Sequence, residues 1–182
     1  NILLQIACTL TFDPPGIVRS DLQELRKWIA ERGEFIDHVA EVHSMQSDAE
    51  TWPDYQKEKV KSLILRLIFG GSYDAWILDE FGAQRQAFEP RSPRVKRFAK
   101  EMASLRNEVF ASREWRTLVR THRERLKLEG EKSLAAIDRA IFALIAQDVE
   151  NTILTSMATY ATEQGHQVLS LQYDGLIILE NV

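Results

Sequence analysis

Over residues 53–70 the apolar positions Val60, Leu63, Ile64, Leu67 and Ile68 follow i, i+3, i+4, i+7, i+8 spacing. That is the spacing of one buried helix face. Pro53 suits a first helical turn and Gly70-Gly71 a stop, so the pattern predicts a helix over 53–69. Further helices are predicted near 20–43, 94–127 and 132–164, with breaks at Pro90, Ser92 and Pro93 and at Gly130. Pro14-Pro15-Gly16 predicts a loop after the first apolar segment. Near the carboxyl end the period changes. Residues 168–173 and 175–181 read as two apolar strands about an Asp174-Gly175 step, a tight β-hairpin. Helices followed by a terminal antiparallel β-hairpin predict an α+β fold. Trp28, Phe35 and Val39 are expected in the core.

Composition narrows the class. The chain has 182 residues and is 45% hydrophobic, enough for one domain or a compact piece of a larger one. It opens on Asn1 and stops soon after the second strand, so a fragment of a larger polypeptide is expected. No run of about 18 apolar residues occurs, so no membrane span is expected. The single Cys8 lies in an apolar stretch and is expected to be a reduced packing residue. His38, His43, His122 and His166 show no zinc-ligand spacing.

Charge changes the picture more. The net charge is −4, yet the span from Arg85 to Lys127 holds 13 Lys and Arg against 5 Asp and Glu. A basic segment within an acidic body suits a local phosphate-backbone site. Arg113, Arg116, Arg120, Arg123 and Lys127 recur at three- and four-residue spacing and are expected on one helix face, with Trp115 and Leu118. A solvated helix edge is the simpler alternative.

Two further patterns carry candidate chemistry. Asp174 is a carboxylate at an apolar hairpin tip, where it could hold a metal ion against a phosphate. An ordinary Asp-Gly turn is the simpler alternative. On the 53–69 helix, Lys57, Lys61, Leu65 and Phe69 form a slanted line, followed by Gly70. Two ammonium groups one turn apart could grip a polyphosphate, and the ring could stack on a base. The same residues also make an ordinary amphipathic helix with a solvated lysine edge. Trp76 is expected either to anchor this helix or to cover a nucleotide pocket.

The line Lys57-x-x-x-Lys61-x-x-x-Leu65-x-x-x-Phe69-Gly70 resembles the fingers-helix motif Arg-x-x-x-Lys-x-x-x-Phe-x-x-x-Tyr-Gly of family A DNA polymerases. Tyr173-Asp174-Gly175 resembles the family's palm motif His-Asp-Glu, and Arg139 and Gln147 resemble its Arg and Gln eight residues apart on the preceding helix. The three matches occur in the family's order. The departures are Lys57 for Arg, Leu65 for Phe, Phe69 for Tyr and Gly175 for the second acid. No upstream catalytic carboxylate is present, and Asn1-Ile2-Leu3-Leu4-Gln5-Ile6 is similar to the segment that follows it, so that residue is expected before Asn1.

The resemblance implies helix-rich fingers, about 45–130, packed on a palm, about 1–20 and 131–182. It implies template-directed nucleotidyl transfer by a two-metal mechanism, with two Mg²⁺ ions as cofactors. Asp174 would be the metal ligand, and Asp174 and Lys61 the catalytic residues. Lys57, Lys61, Phe69 and Gly70 would bind the nucleotide. Arg113, Arg116, Arg120, Arg123, Lys127, Arg139 and Gln147 would bind nucleic acid. The implied partners are primer–template, a dNTP and the remainder of a larger polypeptide. The location would be intracellular: cytoplasmic, nuclear or at a viral replication site. Two alternatives stand beside it: a degenerate, non-catalytic polymerase-like domain binding nucleic acid or a partner protein, and an unrelated helical protein with chance motifs.

Overall fold

In the computed structural model, which describes residues 22–45, 52–130, 133–172 and 175–179, seven helices precede a two-stranded hairpin. The helices are α1 (Gln23–Ala30), α2 (Arg32–Val42), α3 (Trp52–Ile68), α4 (Tyr73–Gln86), α5 (Pro93–Ala111), α6 (Arg116–Leu128) and α7 (Leu134–Glu163). The strands are β1 (Gln167–Gln172) and β2 (Gly175–Leu179). The fold is helix-rich α+β, as the sequence predicts. The expectations on residues 1–6, Cys8, the Pro14-Pro15-Gly16 loop, Tyr173 and Asp174 lie outside the described residues.

The expected core is buried. Trp28, Phe35 and Val39 are all buried, and Trp28–Phe35 and Phe35–Phe98 meet edge-on at 5.4 and 5.7 Å. This aromatic row joins α1 and α2 to α5, whose Val95, Phe98, Met102, Leu105 and Val109 form its buried stripe. A charged clamp reinforces the junction. Glu24 is buried between Arg94 at 3.1 Å and Arg97 at 2.9 Å. Glu101 accepts the first N–H groups of α1, from Glu24 at 3.0 Å and Leu25 at 2.9 Å. A carboxylate from α5 thus replaces the side-chain cap that Leu22 cannot supply.

The apolar stripe of α3 is buried throughout: Val60, Leu63, Ile64, Leu67 and Ile68. Each such burial contributes about 1.5–3 kcal/mol of transfer free energy. Glycine then ends the helix. Gly70 has φ +89°, Gly71 N–H donates to the Arg66 carbonyl at 2.7 Å, and Gly70 N–H to that of Leu67 at 3.2 Å. This paired pattern is the Schellman ending.

Three boundaries differ from the sequence reading. The predicted 20–43 helix divides at Glu31. The predicted 94–127 helix divides at 112–115, where the Ser112 hydroxyl bonds the Val109 carbonyl at 2.8 Å and accepts from Trp115 N–H at 3.4 Å. A serine that serves nearby backbone competes with helix continuation. The sequence reading omits α4. Its pattern is blurred by Gly82, whose φ of 77° and ψ of 166° interrupt the helix. Its start is nonetheless capped, Ser72 Oγ accepting from Ala75 N–H at 3.0 Å.

Trp76 on α4 is fully buried, and its indole N–H donates to the Lys59 carbonyl at 3.2 Å. It is an anchor for α3, the first of the two expected roles. The 30-residue α7 carries Ile137, Ile141, Ile145 and Val149 inward at four-residue spacing. The hairpin packs against α7. β1 and β2 are antiparallel, with Gln167 opposite Leu179 and Gln172 opposite Gly175, and a bulge between Val168 and Ser170. The antiparallel hairpin is the one the sequence predicts, but Gly175, expected in its turn, is paired in β2, and residues 173 and 174 lie outside the described residues.

Candidate nucleotide and nucleic-acid interface

The lysine line on α3 faces outward. The Lys57 and Lys61 side chains are 59% and 48% exposed, along the edge of the buried stripe. Each has a loose partner one turn back, Asp54 at 3.5 Å and Glu58 at 3.6 Å. Exposed pairs of this type hold about 0–1 kcal/mol, so an anionic ligand can displace them. Lys59 points elsewhere. Its ammonium reaches Glu80 of α4 at 2.5 Å and lies over the Tyr55 ring. The hydrogen bond to Glu80 holds Lys59 above the ordinary lysine range.

The line turns inward at its end. Leu65 is exposed, whereas Phe69 is half-buried and meets Phe142 of α7 edge-on at 6.2 Å. Gly70 sits between two arginines. A Cβ placed there would lie 3.3 Å from Arg106 Nε and 3.4 Å from Arg139 Cγ. Arg106, half-buried on α5, donates through Nη1 to the Leu67 and Ile68 carbonyls, both at 2.8 Å. Burial pushes its guanidinium below the ordinary arginine range, opposed by the nearby Asp138 carboxylate.

The structure therefore brings together three residues that the sequence singles out: Phe69, Gly70 and Arg139. Gln147 is exposed on α7, about 12 Å along the axis from Arg139 at 1.5 Å per residue. Arg106 is the participant that sequence reasoning missed. Its only local signal is its place next to Leu105 on the core-facing side of α5.

The basic span resolves into committed and uncommitted cations. Arg123 grips Asp138 of α7 through two hydrogen bonds, at 2.8 and 2.9 Å, and covers the Phe110 ring. Arg125 pairs with Glu129 at 3.6 Å. Arg116, Arg120 and Lys127 are exposed along α6, and Arg113 is exposed in the turn before it; none has an acidic partner among the described residues. Arg113 thus stands off the helix that the periodicity assigned to it.

A second polar cluster is closed. His43, Tyr73 and Glu89 are all buried. His43 Nδ1 lies 2.9 Å from Glu89 Oε1, and its Nε2 lies 2.5 Å from the Tyr73 hydroxyl. Arg85 holds the other Glu89 oxygen at 3.0 Å. Trp76 and Phe81 pack on the imidazole, the latter stacked at 5.3 Å. Burial lowers the His43 pKa and pushes Tyr73 up to about 12. No substrate reaches a group this enclosed, so the cluster is internal framework. An open cleft lined by Asp37, Ala40, Glu41 and Gln56 carries two carboxylates, the wrong sign for a triphosphate.

Among the described residues, no group of three or more His, Cys, Asp or Glu could hold a metal ion. None of the described helices is long and apolar enough to cross a membrane. No family model, curated protein or solved structure matches this chain.

Proposed function

We propose that the chain is the fingers and palm portion of a template-directed nucleotidyltransferase of DNA polymerase type. The supporting observation is that Gly70, at the end of α3, lies against Arg139 of α7, while the adjacent Phe69 meets Phe142 of the same helix. Gly70 and Arg139 are 69 residues apart in sequence, and they come from two different motifs of the resemblance.

In this reading the triphosphate lies along α3. The phosphates displace the exposed carboxylate partners of Lys61 and Lys57, which neutralise them as pyrophosphate leaves. The Phe69–Gly70 corner supports the templating pair. Arg139 and Gln147 face the primer–template, and the uncommitted cations of α6 hold its backbone. A carboxylate is the donor that Mg²⁺ prefers, so Asp174 fits as one metal ligand, with a second carboxylate supplied from outside this chain. Two Mg²⁺ ions, when bound, would supply charge neutralisation at the entering and leaving oxygens.

The test is primer extension by the complete polypeptide. Asp174→Ala should cost on the order of a thousandfold in rate or more. Near-parental extension would overturn the proposal. Gly175, standing where the resembling motif keeps its second acid, favours the alternative of a non-catalytic nucleic-acid-binding domain. That alternative predicts template binding that is insensitive to Asp174→Ala and no extension by the parent.

A further inference from the structure

We infer that Arg106 is a positioning residue for the nucleotide-binding corner, a role that rests on the polymerase-type reading of α3. The last turn of a helix leaves carbonyls without intrahelical partners. Here the Schellman bonds take up those of Arg66 and Leu67. The Ile68 carbonyl and the second lone pair of Leu67 are taken by Arg106 Nη1.

The same side chain lies against Gly70, and the Arg139 side chain approaches the same position. One guanidinium from α5 therefore fixes where α3 stops and how its final residues face α7. Its positive charge sits at the negative end of the α3 dipole, where it is favourable. The neighbouring carboxylate, Asp138, is already held in a fork by Arg123. The backbone of α3 is thus the principal partner of Arg106.

A displaced corner would misplace Phe69 against the nucleotide, and small misplacements at a reacting site are costly. Lys57 and Lys61 lie two to three turns away and are held by the buried stripe, so gross phosphate attraction should persist. The defect should appear in nucleotide KM.

The experiment uses the complete polypeptide with Arg106→Gln, Arg106→Lys and Asp174→Ala. Nucleotide KM, kcat, template affinity and amide hydrogen exchange at Phe69–Gly71 are measured for each. Arg106→Gln should raise nucleotide KM about tenfold, with template affinity unchanged and exchange at Gly70 and Gly71 accelerated. Arg106→Lys, which keeps the charge and can reach one carbonyl, should recover part of both. Loss of folded protein alone would lower apparent kcat and leave KM unmoved. Unchanged KM in Arg106→Gln, or in Arg106→Lys should the former not fold, together with a dead Asp174→Ala, overturns the role of Arg106 and spares the polymerase reading. Undiminished extension by Asp174→Ala overturns both.

Discussion

The Tyr73 hydroxyl stands 2.5 Å from His43 Nε2, so the buried imidazole is held at both of its nitrogens. Glu89, 2.9 Å from Nδ1, requires a proton on that nitrogen. Nε2 then accepts from Tyr73, while the Tyr73 oxygen accepts from Ser92 N–H at 3.3 Å. A second proton on the imidazole would force the phenol to give up its donation.

This sets an acid sensitivity. His43 titrates below its ordinary 6.5 in the folded chain because burial disfavours the imidazolium. Between the lower folded value and 6.5, the unfolded chain binds more protons. Stability is therefore full above 6.5 and is lost as pH falls through that window. Denaturant unfolding at a series of pH values should show this slope in the parent and a weaker one in His43→Gln. Equal slopes would remove His43 from the account. Tyr73→Phe, which leaves Nε2 without a partner, should cost about 1–3 kcal/mol at neutral pH.

The lysines of α3 should separate by direction. Lys61→Ala should weaken nucleotide use several-fold, and Lys57→Ala less, with template affinity unchanged in both. Lys59 faces Glu80, so Lys59→Ala should leave nucleotide use alone and instead lower thermal stability slightly. Nucleotide titrations and melting curves on the three variants provide the check. Equal effects at Lys59 and Lys61 would sink the assignment of α3.

Salt dependence should distinguish the cations of α6. Each phosphate contact contributes about 0.9 log unit of affinity per log unit of salt on duplex DNA. Arg116→Glu and Arg120→Glu should each flatten the slope by about that amount. Arg123→Ala should act differently, because it leaves Asp138 without its fork and so costs stability more than it changes the slope. An unchanged slope in the double reversal would make the basic face a solvated surface.

Gly70 and Gly165 form a matched pair for backbone strain. Their φ angles are +89° and +85°, but a Cβ at Gly165 meets nothing within 4 Å. Gly165→Ala should cost about 1–2 kcal/mol, the left-handed penalty alone. Gly70→Ala should cost more, because Arg106 and Arg139 must also give way. Urea denaturation of the two variants measures the difference, and equal costs would deny the contact.

Much of the secondary structure is legible because it obeys a single period. The stripe from Val60 to Ile68 and the Pro53 and Gly70 punctuation locate α3 closely. The Asp-Gly step between apolar runs locates the hairpin. What escapes is what depends on distant partners or local exceptions. α4 hides behind Gly82, and Ser112 breaks a periodic run by bonding its own neighbourhood. The candidate site divides in the same way. Lys57 and Lys61 are visible as a stripe, but the commitment of Arg123 to Asp138 and the hold of Arg106 on α3 span 15 and about 39 residues, beyond the reach of any periodic signal.

The hairpin has a consequence for how the chain behaves in bulk. Leu169, Leu171, Ile177, Ile178 and Leu179 are all exposed, and neither strand has a further partner among the described residues. Open strand edges with apolar flanks recruit other strands, and neither β1 nor β2 carries a charged residue to repel them. The bulge between Val168 and Ser170 twists the ribbon and is the only such guard among its described residues. Self-association at high concentration should therefore begin at these eleven residues, leaving the helical body intact inside the resulting particles.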